Sequence, residues 1–153
     1  MAKRIDDNRI KHMHGVAEYM YNNAEKYGLN KEQMYVLGLL HDIGYVKEKA
    51  GHEQYGGDLL DDLFYIDAAI ITWHGSTPKE YKDILLCDDK NIPKELVLLW
   101  EADMHIDLNG EDVGFEKRLE DIGNRLGTDS IAYKNCCDVV SWLAKNFDDS
   151  QEG

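Results

Sequence analysis

Apolar residues recur along this chain at steps of three and four, the spacing that lines one face of a helix. Met13, Val16, Ala17, Met20, Ala24 and Tyr27 predict a helix over 5–27, started by Asp6 or Asp7 and closed by Gly28. Asn30-Lys31-Glu32-Gln33 resembles a capping box, and the helix it opens carries Met34, Leu37, Gly38 and His41 on one face. A loop is expected over 45–51. A third helix follows over about 52–64, with His52, Gly56, Leu59, Leu60 and Leu63 turned inward. Asp67 suits the cap of a fourth, in which Ile66, Ile70 and His74 recur every fourth residue until Gly75 and Pro78 break the pattern. A short helix over 79–87 and a loop over 88–91 come next. Pro93 opens a helix whose inner stripe is Leu96, Leu99, Trp100 and Asp103, with Glu101 on the opposite face. Amphipathic helices over 115–126 and 129–147 precede a polar tail. The sum is an all-α bundle, expected as a single domain over 1–153 with its core at about 9–107.

Charge narrows the partners. The chain has 17 basic and 30 acidic residues, a net charge of −13. Such a surface repels nucleic-acid polymers and anionic membranes, and leaves room for a small phosphorylated ligand at a local positive site. No apolar run reaches the roughly 18 residues of a membrane span, and Met-Ala-Lys-Arg-Ile-Asp-Asp lacks the apolar centre of a signal peptide. A cytoplasmic protein is expected. The three cysteines, Cys87, Cys136 and Cys137, show no CxxC spacing and read as reduced thiols.

The candidate chemistry lies in polar residues that interrupt apolar faces: His12, His41, Asp42, His52, His74 and Asp103. His41 and Asp42 end the apolar run that begins at Val36. A buried, ionised aspartate needs a cation or several hydrogen bonds. A mixed imidazole and carboxylate set suits iron, manganese, zinc, cobalt or nickel. Calcium prefers oxygen ligands alone, and structural zinc usually brings cysteines. Six such residues exceed what one open catalytic ion takes from protein, and suit two ions bridged by a carboxylate.

The ordered set His12, His41-Asp42, His52, His74 and Asp103 resembles the HD superfamily of metal-dependent phosphohydrolases, here in the form His-Asp-Ile-Gly. The resemblance covers roughly residues 9–107 and implies an all-α bundle with metals at its centre. Within the superfamily the chain is most similar to the small bacterial hydrolases of the YqeK type, symmetrical dinucleoside-tetraphosphate hydrolases with a di-iron centre. The similar stretches are residues 9–16, 52–57, 69–75 and 100–103. The resemblance implies that His12, His41, Asp42 and Asp103 hold one metal, and that Asp42 also reaches a second, completed by His52 and His74. Two divalent transition metals are expected, iron first, with manganese, zinc, cobalt or nickel as alternatives. Asp42, with a metal-bound water, would then carry the attack on phosphorus in a nucleotide or other small phosphate ester.

Arg9, Lys47, Ser76 and Thr77 are the candidate phosphate contacts. Each has a plainer reading: a salt bridge from Arg9 to Asp6, a solvated loop for Lys47 and Lys49, a helix cap at Pro78 for Ser76 or Thr77. Asp107, one turn beyond Asp103, either supports it or faces solvent. His14 and His105 read as surface or ordinary polar contacts, and Tyr19, Tyr35, Trp73 and Trp142 as packing. Two other functions use the same ligands: a di-iron oxygenase, and a non-catalytic, metal-stabilised module that binds a nucleotide. A homodimer is compatible with all three.

Overall fold

The computed structural model describes residues 7–42, 70 and 73–147. They form six α-helices: α1 (Asp7–Asn23), α2 (Lys31–Leu40), α3 (Pro78–Leu85), α4 (Lys94–Asp103), α5 (Gly114–Leu126) and α6 (Ile131–Phe147). Single 3-10 turns cover Ala24–Tyr27 and Asp89–Asn91. Among the described residues the only extended pairing is one bridge between Ile106 and Asp112. The all-α architecture expected from the periodicity is the one observed. No described helix is long and apolar enough to cross a membrane. The expected third helix over about 52–64 and the cap at Asp67 lie outside the described residues.

Local chemistry explains where the helices begin. Asn30 caps α2 by accepting the Gln33 N–H at 2.7 Å. Thr77 and Glu80 form a full capping box on α3, with Pro78 in its first turn. The sequence pattern placed that start one residue later because it treated proline as a break. The 129–147 helix begins at Ile131, where Ser130 Oγ accepts the Tyr133 N–H at 3.1 Å.

α1 and α2 pack closely along their length. The approach is tightest at Gly38, where a Cβ would lie 2.8 Å from the Ala17 Cα and 3.0 Å from the Met20 Sδ. A second close contact joins α1 to the turn after α4. There a Cβ on Gly15 would lie 2.4 Å from the Gly110 carbonyl oxygen. The turn itself is folded by Asp107, whose Oδ1 accepts the N–H groups of Asn109 and Glu111.

α4 is the hub. Every residue from Leu96 to Ala102 is buried, so this helix is covered all round. It packs against α1, the Ala24–Tyr27 turn and α6. Glu101 does lie opposite the apolar stripe, as its spacing requires, but that face is not open to water. Tyr19 Oη and Tyr27 Oη donate to the Glu101 carboxylate at 2.6 and 2.5 Å, and Lys26 Nζ at 2.8 Å. Burial, and then the adjacent Glu101 charge, push the Tyr19 phenol well above its ordinary value, so it stays a donor. Tyr19, Trp73 and Trp142 pack against the core, as expected, and Tyr35 meets Tyr21 edge-on at 6.3 Å.

Two outcomes follow for stability. Gly38→Ala gains about 1 kcal/mol of helix propensity but overpacks a backbone contact at a cost of about 1–3 kcal/mol. A lower melting temperature is expected, and an unchanged or higher one would contradict the close crossing. Glu101→Ala removes the buried carboxylate that two phenols and an ammonium share, and should destabilise the fold by about 3 kcal/mol in a urea titration.

Candidate metal centre

Two imidazoles are oriented by main-chain carbonyls. His12, fully buried on α1, lies with Nδ1 3.1 Å from the Asp107 carbonyl oxygen. His41, at the C-terminal end of α2, lies with Nδ1 2.6 Å from the Gly38 carbonyl oxygen. A carbonyl only accepts, so both Nδ1 atoms carry hydrogen and donate. Each Nε2 then turns toward acid. His12 Nε2 is 2.8 Å from Asp103 Oδ1. His41 Nε2 is 3.2 Å from Asp42 Oδ2 and 3.6 Å from Asp103 Oδ1, yet it is buried and has no hydrogen-bond partner among the described residues. Carbonyl-fixed imidazoles with Nε2 turned on carboxylates are the arrangement of metal ligands.

The spacing fits as well. Ligand atoms of His12, His41 and Asp42 all lie within 4.8 Å of one another, and all three residues are buried. Bonds of about 2 Å to a common ion place its ligand atoms roughly 3–4 Å apart. Neutral imidazole with carboxylate is a donor set for a divalent transition metal.

Asp42 divides its carboxylate between two sides. Oδ2 faces His41, with His12 Nε2 at 3.9 Å and Arg9 Nη1 at 3.1 Å. Oδ1 faces His74 Nε2 at 3.4 Å. His74 is held in turn by Trp100 Nε1, which donates to its carbonyl oxygen at 3.0 Å. Asp103 closes α4 beside Arg118, whose Nε donates to the Asp103 carbonyl oxygen at 2.9 Å.

The charges are mutually dependent. Burial alone would lower the His41 value, but Asp42 and then Asp103 outweigh it and raise it to about 10. Burial alone would likewise raise Asp103, but His12 and His41 hold its carboxyl well below the ordinary range. Burial, with Asp103, pushes the Cys136 thiol up to about 11. It is therefore a neutral wall group near neutral pH. The three cysteines are unpaired, as expected.

Five of the six expected ligands converge: His12, His41, Asp42, His74 and Asp103. His52, like Lys47, lies outside the described residues. Arg9 pairs with Asp42, and its other expected partner, Asp6, lies outside the described residues. Ser76 lines a cleft of about 370 Å³ that also meets Arg9, Asp42, His74, Asp103 and Arg118. Thr77 Oγ1 accepts the Glu80 N–H at 3.1 Å, the capping alternative for that residue. Asp107 supports His12 through its carbonyl oxygen, a role the sequence did not suggest. His14 is exposed, and His105 meets Asp112 at 3.0 Å, both outside the cluster. Arg118 was missed altogether. Its signal was an arginine on the apolar row Phe115, Ile122 of α5, which is the kind of interruption that marked the histidines.

Fold and cluster together define a helical protein with a buried histidine and carboxylate centre suited to a divalent metal. The HD domain family profile matches residues 9–119, and the chain belongs to that family, whose members are generally metal-dependent hydrolases. No curated protein and no solved structure gives a significant match.

The sign of the His41 shift makes metal binding visible as proton movement. Its folded value of about 10 lies above the ordinary 6.5, so a proton held there stabilises the fold fully below 6.5 and is lost as the pH rises through about 10. A divalent ion at Nε2 must displace that proton. Calorimetric titration of metal into chelator-treated protein, in two buffers of different ionisation enthalpy near pH 8, should show about one proton released per site. Heats that do not depend on the buffer would contradict the arrangement.

Proposed function

We propose that this protein is a metal-dependent phosphohydrolase that acts on a small phosphate ester, a nucleotide being the first expectation. A pair of divalent transition metals, bridged by Asp42, would serve it. The observation that carries the reading is the division of the Asp42 carboxylate, Oδ2 toward His41 and His12, Oδ1 toward His74. A carboxylate turned to two separate imidazole groups supports that reading. His12, His41 and Asp103 would complete the first position, and His74, with His52, the second.

Bound metals would supply an activated water and neutralise charge on the phosphoryl group. The chain's own groups do the rest. The Asp107 and Gly38 carbonyls hold His12 and His41 in the tautomer that offers Nε2. Trp100 fixes the backbone at His74. Arg9, with 19% of its side chain exposed at the cleft, can meet both Asp42 and an incoming phosphate oxygen. Ser76 stands on the same wall. Contacts made beside the buried His12, His41 and Asp42 are screened less than contacts at the surface. No side-chain nucleophile is required. Histidines must be neutral to ligate, so activity should decline under acidic conditions. The similarity of residues 9–16, 52–57, 69–75 and 100–103 to YqeK-type hydrolases makes symmetrical dinucleoside tetraphosphates the first substrates to assay.

The test combines elemental analysis with a panel of phosphate esters, assayed with and without oxygen. Phosphate release by metal-loaded protein, independent of oxygen, is expected. Oxygen consumption without phosphate release would favour the oxygenase chemistry instead. Asp42→Ala should lose both metals and all phosphate release, whereas His52→Ala should lose one metal. Equal metal retention in the two variants would count against the bridge.

A further inference from the structure

Arg118 is a buried cation of which one edge is not used. Its side chain, on α5, is 5% exposed. Nε donates to the Asp103 carbonyl oxygen at 2.9 Å, and Nη2 lies 3.8 Å from Asp103 Oδ1. Nη1 is buried and meets no acceptor among the described residues. A guanidinium keeps its charge and has five N–H donors in a fixed fork. Leaving a buried donor of that kind without an acceptor is costly. The edge bound to Asp103 holds the fork in place, so the unused edge is pre-positioned.

Among the described residues, Arg118 adjoins a smaller and a larger space. One, of about 220 Å³, is also lined by Asp107 and Asp121. Both of those acids are engaged: Asp107 Oδ1 accepts the Asn109 and Glu111 N–H groups, and Asp121 pairs with Lys117 at 3.3 Å. The other is the cleft of about 370 Å³ that holds Asp42, His74, Ser76 and Asp103. Arg118 lines that cleft together with the buried Met104 and Ile122, and Nη1 itself has almost no open surface, so an acceptor coming from the cleft reaches it as the lining side chains part.

Charge indicates what kind of acceptor fits. Arg9 lies against Asp42 and Arg118 against Asp103, so two guanidiniums offset two carboxylates. Any divalent ion among the ligands then adds positive charge that nothing else in the cluster cancels. A phosphate dianion matches that excess, and its oxygens match the guanidinium fork.

We infer that Arg118 is a substrate-binding residue that receives a phosphate oxygen in the cleft while its other edge holds Asp103. The inference deepens the phosphohydrolase reading and rests on it for the identity of the substrate. Its anchor on a ligand-bearing residue fixes the phosphate relative to Asp103, which is the orientation that an in-line attack needs.

The test is titration of inorganic phosphate into full-length protein loaded with manganese, followed by calorimetry, for the wild type, Arg118→Lys and Arg118→Gln. Elemental analysis and thermal melting accompany each variant. Phosphate binding should weaken roughly ten- to a hundredfold in Arg118→Gln and less in Arg118→Lys, with metal content unchanged. Unchanged phosphate affinity would overturn the assignment, as would a wild type that does not bind phosphate. So would metal loss in step with phosphate loss, since Arg118 would then serve Asp103 alone. If Arg118→Gln fails to fold, the lysine variant decides by the same criteria. A wild type that binds phosphate through Arg118 yet hydrolyses no ester would sink the hydrolase reading and leave this assignment standing.

Discussion

Two imidazole Nε2 atoms aimed at two carboxylates, within a helical core, need a positive charge among them. The rest of the structure is arranged around that need. His12 Nε2 and Asp103 Oδ1 are 2.8 Å apart, and His41 Nε2 and Asp42 Oδ2 are 3.2 Å apart. Without a shared proton or metal, each pair would set a nitrogen lone pair against an anion in a medium that screens poorly. Turning the rings round would relieve the conflict, but the Asp107 and Gly38 carbonyls already hold both Nδ1–H groups. The orientation is therefore built in at the level of the backbone.

That explains why tight packing recurs next to the ligands. Gly38 lets α2 approach α1 and also presents the carbonyl that fixes His41, so one residue sets a helix crossing and an imidazole tautomer. Gly15 seats the Asn109–Gly110 turn against α1, which brings the Asp107 carbonyl oxygen to His12 three residues earlier. α4 adds the third constraint. Its two polar ends of contact, Asp103 toward the cluster and Glu101 toward Tyr19, Tyr27 and Lys26, fix its rotation from opposite sides. A helix buried all round has no amphipathic pattern to orient it, and these two acids supply the orientation instead.

Much of this was legible in the sequence, for reasons that also mark where legibility ends. Periodicity reports which residues share a face, so the helices and the convergence of His12, His41, Asp42, His74 and Asp103 could be anticipated. It does not report what covers a face. Glu101 was placed correctly opposite the stripe, but no spacing rule shows that Tyr19 and Tyr27 close over it. A main-chain carbonyl carries no residue identity, so the support that Asp107 gives His12 leaves no trace in the letters. Arg118 did leave one, an arginine on an apolar row. It went unread because an arginine at the edge of an amphipathic helix is usually a solvated, snorkelling side chain.

The pairing of each acid with an arginine bears on how such a centre can be selective within an acidic protein. A chain of net charge −13 repels phosphate at long range. Bare carboxylates in the centre would add to that repulsion and would also absorb the charge of any bound metal. With Arg9 at 3.1 Å from Asp42 and Arg118 beside Asp103, the carboxylates are offset before a metal arrives. The arrangement gives up some metal affinity, because a cation bound there meets two guanidiniums. In exchange, the metal's charge is left for the ligand. Burial confines that charge to the cleft, since fields between buried groups are screened far less than those at the surface. A small anionic ligand in the cleft would meet that charge, whereas the exterior presents the net negative charge of the chain.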